Sequence, residues 1–242
     1  MNEDIRRRII RHYAAMGLRW APRLGHELRF HSRRFIWLSA VRGAALSKRL
    51  FDIVGSLFLL LMLSPILVMI AIMIKLESPG SVFFKQTRVG KWGRTFGMYK
   101  FRSMHQDAEA RKAALESRNE MAGGVTFKLK DDPRITRVGR FTRRHSLDEL
   151  PQLLNVLNGD MSLVGPRPAV PSEVQMYSMT DRQRLDAVPG ITCLWQVSGR
   201  SELPFDKQVE LDIAYINMQS LWLDIKLLLR TVPAVLSGRG AY

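Results

Sequence analysis

The stretch Phe141–Pro168, FTRRHSLDELPQLLNVLNGDMSLVGPRP, carries two adjacent acids, Asp148 and Glu149, in a strongly basic neighbourhood. Arg134, Arg137, Arg140, Arg143 and Arg144 come before them, and Arg167 follows between two prolines in Gly165-Pro166-Arg167-Pro168. Cations near a carboxylate favour its ionised form and also offer a site for phosphate. An acid kept ionised beside bound phosphate can act as a nucleophile or as a metal ligand. Two local structures fit these residues. Ser146-Leu147-Asp148-Glu149 matches the S-x-x-E capping box that opens many helices. Alternatively, Pro151 is the first helical residue, and both acids stand just ahead of a helix N-terminus, whose dipole stabilises negative charge.

Upstream, Val82-Phe83-Phe84 begins an extended run, Gly90-Lys91-Trp92-Gly93 turns it, and Phe96–Phe101 returns, which predicts a β-hairpin. Lys100 and Arg102 flank Phe101, so in a strand both charges share one face with the ring below. Asp107 can cap a helix through Ala108–Met121, stopped by Gly123-Gly124. Downstream, Pro151–Leu157 reads as a short amphipathic helix closed by Asn158-Gly159, and Ser172–Ala187 as a helix ending before Pro189-Gly190. Leu203–Leu236 reads as two helices split near Ser220. The second of these, with Trp222 among leucines, suits either a membrane interface or the core.

Farther upstream, Ile53–Ile74 (IVGSLFLLLMLSPILVMIAIMI) is a run of 22 residues without a charge, ~33 Å of helix and enough for a bilayer. Ser64-Pro65 lies at its middle, where Pro65 cannot donate to the carbonyl of Leu61, so a kink is expected. Arg42, Lys48 and Arg49 precede the run, while Lys75, Lys85, Arg88 and Lys91 follow it. Charge on both flanks gives no inside–outside asymmetry, so a helix that dips in and returns competes with an ordinary crossing. The first 47 residues are rich in arginine, with Trp20 and Trp37 interleaved, which suits an arm on anionic headgroups, a poorly ordered basic tail or an organellar transit sequence. The first 35 residues contain no apolar core of the kind a cleavable signal peptide needs. With Lys+Arg 37 against Asp+Glu 22, the net charge of +15 points to an anionic partner. The single cysteine, Cys193, excludes an internal disulfide and fits a reducing compartment.

The chain resembles the bacterial sugar transferases, the monotopic polyprenyl-phosphate phosphoglycosyl transferases that prime exopolysaccharide assembly. Five motifs carry the likeness in the family's order: Lys100-Phe101-Arg102-Ser103-Met104, Asp148-Glu149-Leu150-Pro151-Gln152-Leu153, Asn158–Pro168, Pro189-Gly190-Ile191-Thr192 and Trp195-Gln196-Val197-Ser198-Gly199-Arg200. The resemblance implies an α/β fold of the α+β kind, mostly helical: a basic segment 1–47, a re-entrant helix-break-helix anchor 48–76, and a catalytic domain 77–242 on the cytoplasmic face of the bacterial inner membrane. It implies transfer of a sugar-1-phosphate from a UDP-sugar to polyprenyl phosphate with release of UMP. Asp148 matches the nucleophile that forms an aspartyl-phosphosugar, and Glu149 the second acid, here assigned to Mg²⁺. Lys100, Arg102, Arg134, Arg137, Arg140 and Arg167 are candidates for phosphate, and Asp160 and Asp212 for further metal or nucleoside contacts. Galactose or glucose is the expected sugar, with an N-acetylated or modified hexose as the alternative. A homodimer is compatible with the sequence. Nucleic acid is not an expected partner, since no nucleic-acid fold signature is present. The competing class is a basic membrane-surface scaffold without catalysis. One departure stands out: Cys193 occupies a position where the family often has glycine, and a positive φ there would strain it.

Overall fold

The computed structural model describes residues 20–108, 110, 132–199 and 203–237. Its backbone divides into two units, Met1–Ser47 and Lys48–Tyr242. In the first, residues 20–47 are helical; the rest of the basic arm lies outside the described residues, as does nearly all of the helix expected through Ala108–Met121.

Helix α1 (Trp20–Glu77) contains the charge-free run, and its part Arg42–Glu77 is long and apolar enough to cross a membrane. The expected helix-break-helix takes another form, because the chain stays helical through Ser64 and Pro65. Pro65 has no N–H for the carbonyl of Leu61, and the Ser64 hydroxyl donates to that oxygen instead, at 2.8 Å. From Lys48 on, α1 belongs to the second unit, and one side of this part packs on the rest of that unit at two places. Phe51, Leu59 and Leu60 lie against a core of Met98, Leu153, Val156, Met161, Leu163, Val164, Tyr215 and Leu227. Ile70 and Ile74 bury against Phe101, flanked by Val138 and Leu147. Each such side chain withdrawn from water contributes roughly 1.5–3 kcal/mol. Between the two contacts, Leu61–Ile66 has no buried residue.

The hairpin forms as the sequence predicts. Strands β1 (Phe83–Val89) and β2 (Thr95–Phe101) pair antiparallel, with Phe83 opposite Phe101 and Val89 opposite Thr95. Helix α2 (Arg137–Arg144) and helix α3 (Gln152–Asn158) flank the acid pair. A second sheet was not expected: β3 (Ser162–Val164) and β4 (Gly190–Thr192) run parallel, three residues each. They approach so closely that a Cβ on Gly190 would run into the backbone of Val164 and Gly165, and one on Gly165 into Val188 and Gly190.

The helix expected over Ser172–Ala187 is two pieces, α4 (Pro171–Gln175) and a 3₁₀ turn at Asp181–Asp186. Ser178 restarts the chain between them: its N–H donates to Asp181 Oδ2 at 2.8 Å, and its Oγ accepts from the Asp181 N–H at 3.3 Å. Helices α5 (Phe205–Met218) and α6 (Leu221–Ser237) split at Ser220, whose Oγ accepts from the Leu223 N–H.

Candidate active site

Asp148 and Glu149 lie in a 3₁₀ turn, Leu147–Glu149, between α2 and α3. Ser146 has φ 52° and its side chain caps nothing, so the capping-box reading fails; α3 starts at Gln152 with Pro151 at its N-cap, one residue later than the other reading has it, and both acids stand just ahead of it. Both flanking helices are fixed by named hydrogen bonds. Glu77, the last residue of α1, accepts from Arg137 N at 2.7 Å and Val138 N at 3.0 Å, and Thr136 Oγ1 accepts from Gly139 N at 2.9 Å. Three of the free donors at the start of α2 are thereby satisfied. The fully buried Asn155 ties α3 to β2, accepting from Tyr99 N at 2.9 Å and donating to Gly97 O at 2.8 Å. At the other end of α3, Arg49 donates to the carbonyls of Val156 and Leu157. With α3 and β2 locked together, Lys100 on β2 faces Glu149.

The loop after β3 brings in the second cation. Gly165 N donates to Thr192 O at 3.0 Å and Gly190 N to Pro166 O at 2.9 Å, so the segment holding Arg167 is fastened to β4 on both sides of Pro166. Glu149 Oε1 then accepts from Lys100 Nζ at 2.7 Å and from Arg167 Nη2 at 3.2 Å. Burial pushes the Glu149 carboxyl up, but Lys100 and Arg167 outweigh it and hold the group well below the usual carboxylate range. Asp148, next in the chain and 6% exposed, has no hydrogen bond or ion pair among the described residues. Burial raises its pKa, Lys100 only partly offsets this, and the charge on Glu149 adds to the rise. One acid is therefore fixed as an anion by two cations, while its neighbour keeps its oxygens free. Lys100 is itself lowered by burial, against the pull of Glu149.

Residues 43–238 match the bacterial sugar transferase family. The chain belongs to that family. It is 49% identical over 197 residues to the galactosyl transferase CpsE of Streptococcus agalactiae, covering 81% of this chain and 43% of that protein. To the undecaprenyl-phosphate galactose phosphotransferase of Salmonella typhimurium it is 44% identical over 206 residues, 84% of this chain and 43% of that one. The exopolysaccharide production protein ExoY of Sinorhizobium fredii is 40% identical over 200 residues, 81% of this chain and 88% of its own length. The chain thus spans less than half the length of the first two relatives and most of the third.

Several residues expected in the sugar transferase site lie elsewhere. Arg102 turns away from Lys100 and donates to Pro79 O, Ser78 O and Ser78 Oγ, holding the turn that leaves α1. Arg134 is 4% exposed and gripped by Asp132 through Nε and Nη2. Arg137 and Arg140 are exposed on α2. Asp160 accepts from Asn155 Nδ2 at 3.2 Å and steadies that residue. Asp212, fully buried, pairs with Arg184 at 2.7 Å, beneath the rings of Tyr177 and Phe205 that hold the guanidinium. Cys193 has no positive φ; it is fully buried with its thiol donating to Gln196 Oε1 at 3.1 Å, so the glycine position tolerates it.

The structure also adds residues. Arg88, which in the sequence reads only as a flanking charge of the apolar run, lines one cleft with Glu149, Arg167, Gln152 and Pro168. Nothing in its spacing signals this; the β1–β2 register delivers it there. For a divalent ion, no group of three or more His, Cys, Asp or Glu side chains stands together among the described residues. Asp148 and Glu149 supply two carboxylates, and Glu149 is already shared by two cations. This donor set fits Mg²⁺ only when phosphate oxygens and water complete its octahedron.

Proposed function

We propose that this chain transfers a sugar-1-phosphate from a UDP-sugar to polyprenyl phosphate, at the cytoplasmic face of a bacterial membrane, in the first membrane step of exopolysaccharide synthesis. The observation that carries the reading is the asymmetry of the acid pair: a buried, unpartnered Asp148 beside a Glu149 locked between Lys100 and Arg167. A carboxylate stripped of water and hydrogen bonds is more basic and a better nucleophile than a solvated one. An Asp148 oxygen attacks the phosphorus bearing the sugar, the bond from that phosphorus to the bridging oxygen breaks, and UMP leaves. An oxygen of the lipid phosphate then attacks the same phosphorus, the aspartyl–phosphorus bond breaks, and Asp148 is regenerated.

Lys100 and Arg167 stand where negative charge gathers on the phosphoryl oxygens, and fixed cations in a partly dry site stabilise such a transition state strongly. Mg²⁺ would be held by Glu149 and would supply further charge neutralisation. Galactose and glucose are the sugars in the names of relatives, the Salmonella galactose phosphotransferase and the undecaprenyl-phosphate glucose phosphotransferase of Komagataeibacter xylinus, and either suits this chain.

The test is UMP release from a panel of UDP-sugars by the detergent-purified chain, with and without undecaprenyl phosphate and Mg²⁺. Release of UMP with one donor, made catalytic by the lipid and abolished in Asp148→Asn, is the expected result. Absence of release with every donor, or wild-type rates in Asp148→Asn, would sink the reading.

A further inference from the structure

The cleft beside the acid pair holds a feature that the two-acid chemistry leaves unexplained. Arg88, on β1, and Arg167, after β3, both line it, and no carboxylate stands between them in contact with both. Arg167 leans on Glu149. Arg88 donates through Nη1 to Pro168 O at 3.0 Å and through Nη2 to Gln86 Oε1 at 2.8 Å, both neutral acceptors, and its Nε is buried with no partner among the described residues. We propose that Arg88 is a second phosphate ligand, closing with Arg167 on the diphosphate of the nucleotide donor. This rests on the transferase reading above and names the donor's subsite within it.

Three points carry the assignment. First, Arg88 is not needed as a staple. The backbone already joins β1 to the loop, because Val89 N donates to Ala169 O at 2.9 Å, one residue along from the Arg88–Pro168 bond on each side. Second, the cleft has surplus positive charge: Arg88 and Arg167 line it with one firmly ionised carboxylate, Glu149, which Lys100 also pairs, and Glu173 acts on both arginines. Burial first and the Arg167 charge second push Arg88 down to about 10, so its surroundings favour the arrival of an anion. Third, two guanidinium groups lining one cleft suit neighbouring phosphates better than a single one, because each can take one phosphate in exchange for its present acceptors. The lipid acceptor brings one phosphate, the donor two, so the donor is the match.

The experiment measures binding of UDP and UMP to wild type, Arg88→Gln and Arg88→Lys, together with KM for the UDP-sugar and for undecaprenyl phosphate. Arg88→Gln is expected to weaken UDP by tenfold or more and UMP by less than threefold. It should raise KM for the donor and leave KM for the lipid unchanged. Arg88→Lys keeps the charge and loses the fork, and should fall between wild type and Arg88→Gln for UDP. Unchanged UDP binding in Arg88→Gln, equal losses for UDP and UMP, or a change confined to the lipid KM overturns the clamp. If Arg88→Gln does not fold, Arg88→Lys decides alone by its UDP-to-UMP ratio. A wild-type protein that turns over while Arg88→Gln binds UDP normally removes only the clamp. A wild type that neither binds UDP nor releases UMP removes the transferase reading and the clamp with it.

Discussion

Two adjacent acids in one turn have opposite fates because of what each reaches. Glu149 reaches Lys100 and Arg167, and Asp148 reaches neither. Glu149→Gln should leave two largely buried cations without their countercharge, costing on the order of 3 kcal/mol by denaturant unfolding. Adding Lys100→Met to Glu149→Gln should recover part of that stability without recovering transfer, a coupling that a double-mutant cycle measures directly. A second acid gives a pH signature. Burial raises Asp212 to about 6 in spite of Arg184, from an ordinary 3.8. Between those two values the folded chain holds a proton that the unfolded chain has lost, so stability falls as pH rises through the window. Relative to Asp212→Asn, the wild type should lose about 2 kcal/mol between pH 3.8 and 6, followed by melting at a series of pH values. A difference that stays flat over this range would show that Asp212 does not titrate there. At this scale the sequence was half legible. Asp148, Glu149, Lys100 and Arg167 were found through motif context, but a three-residue rhythm of arginines says nothing about which one an aspartate two positions earlier will seize, as Asp132 does Arg134.

Elements come together through a few short-range devices, and these differ in how visible they are. The hairpin was legible because its turn residues, Gly90 and Gly93, bracket two alternating runs. The β3–β4 pair was not. Its strands are three residues long and parallel, and they meet only because the chain returns through α4 and the 3₁₀ turn that follows it. What the sequence does show there is a pair of glycines, and the structure explains both as one close crossing of backbones. Gly190→Ala should therefore push β4 away from Gly165 and move the Arg167 segment. We expect a loss of about 1–3 kcal/mol, with a rise in KM for the donor larger than the fall in kcat. A variant that loses stability but keeps its donor KM would show that the crossing supports the fold and not the placement of Arg167.

For the whole molecule, the proposed reaction requires a charged unit to meet a lipid acceptor. The apolar run of α1 is fastened to one unit at both ends. Near its start, Lys48 binds Asp224 at 2.6 Å and Asp52 accepts from Ser162 Oγ and Leu163 N; near its finish, Glu77 caps α2 and Lys75 donates to Gly80 O. A polar unit cannot lie on both faces of a bilayer, so if α1 enters a bilayer with these contacts intact, both of its ends stay on one side. Positive charge on both flanks of the run is compatible with that arrangement. Between the fastenings, Leu61–Ile66 carries exposed apolar side chains and no buried residue, around the Ser64 hydroxyl that substitutes for the missing Pro65 N–H. On the re-entrant reading, that is the stretch that would enter the lipid and return. Single cysteines at Ser47 and Ser81, both exposed, test this in intact cells, since the native Cys193 is fully buried and should not compete for the reagent. A membrane-impermeant maleimide added outside should label neither position until the inner membrane is opened, and then both. Labelling of one position from outside would mean that α1 crosses, and that the fastening at one of its ends does not survive in the membrane.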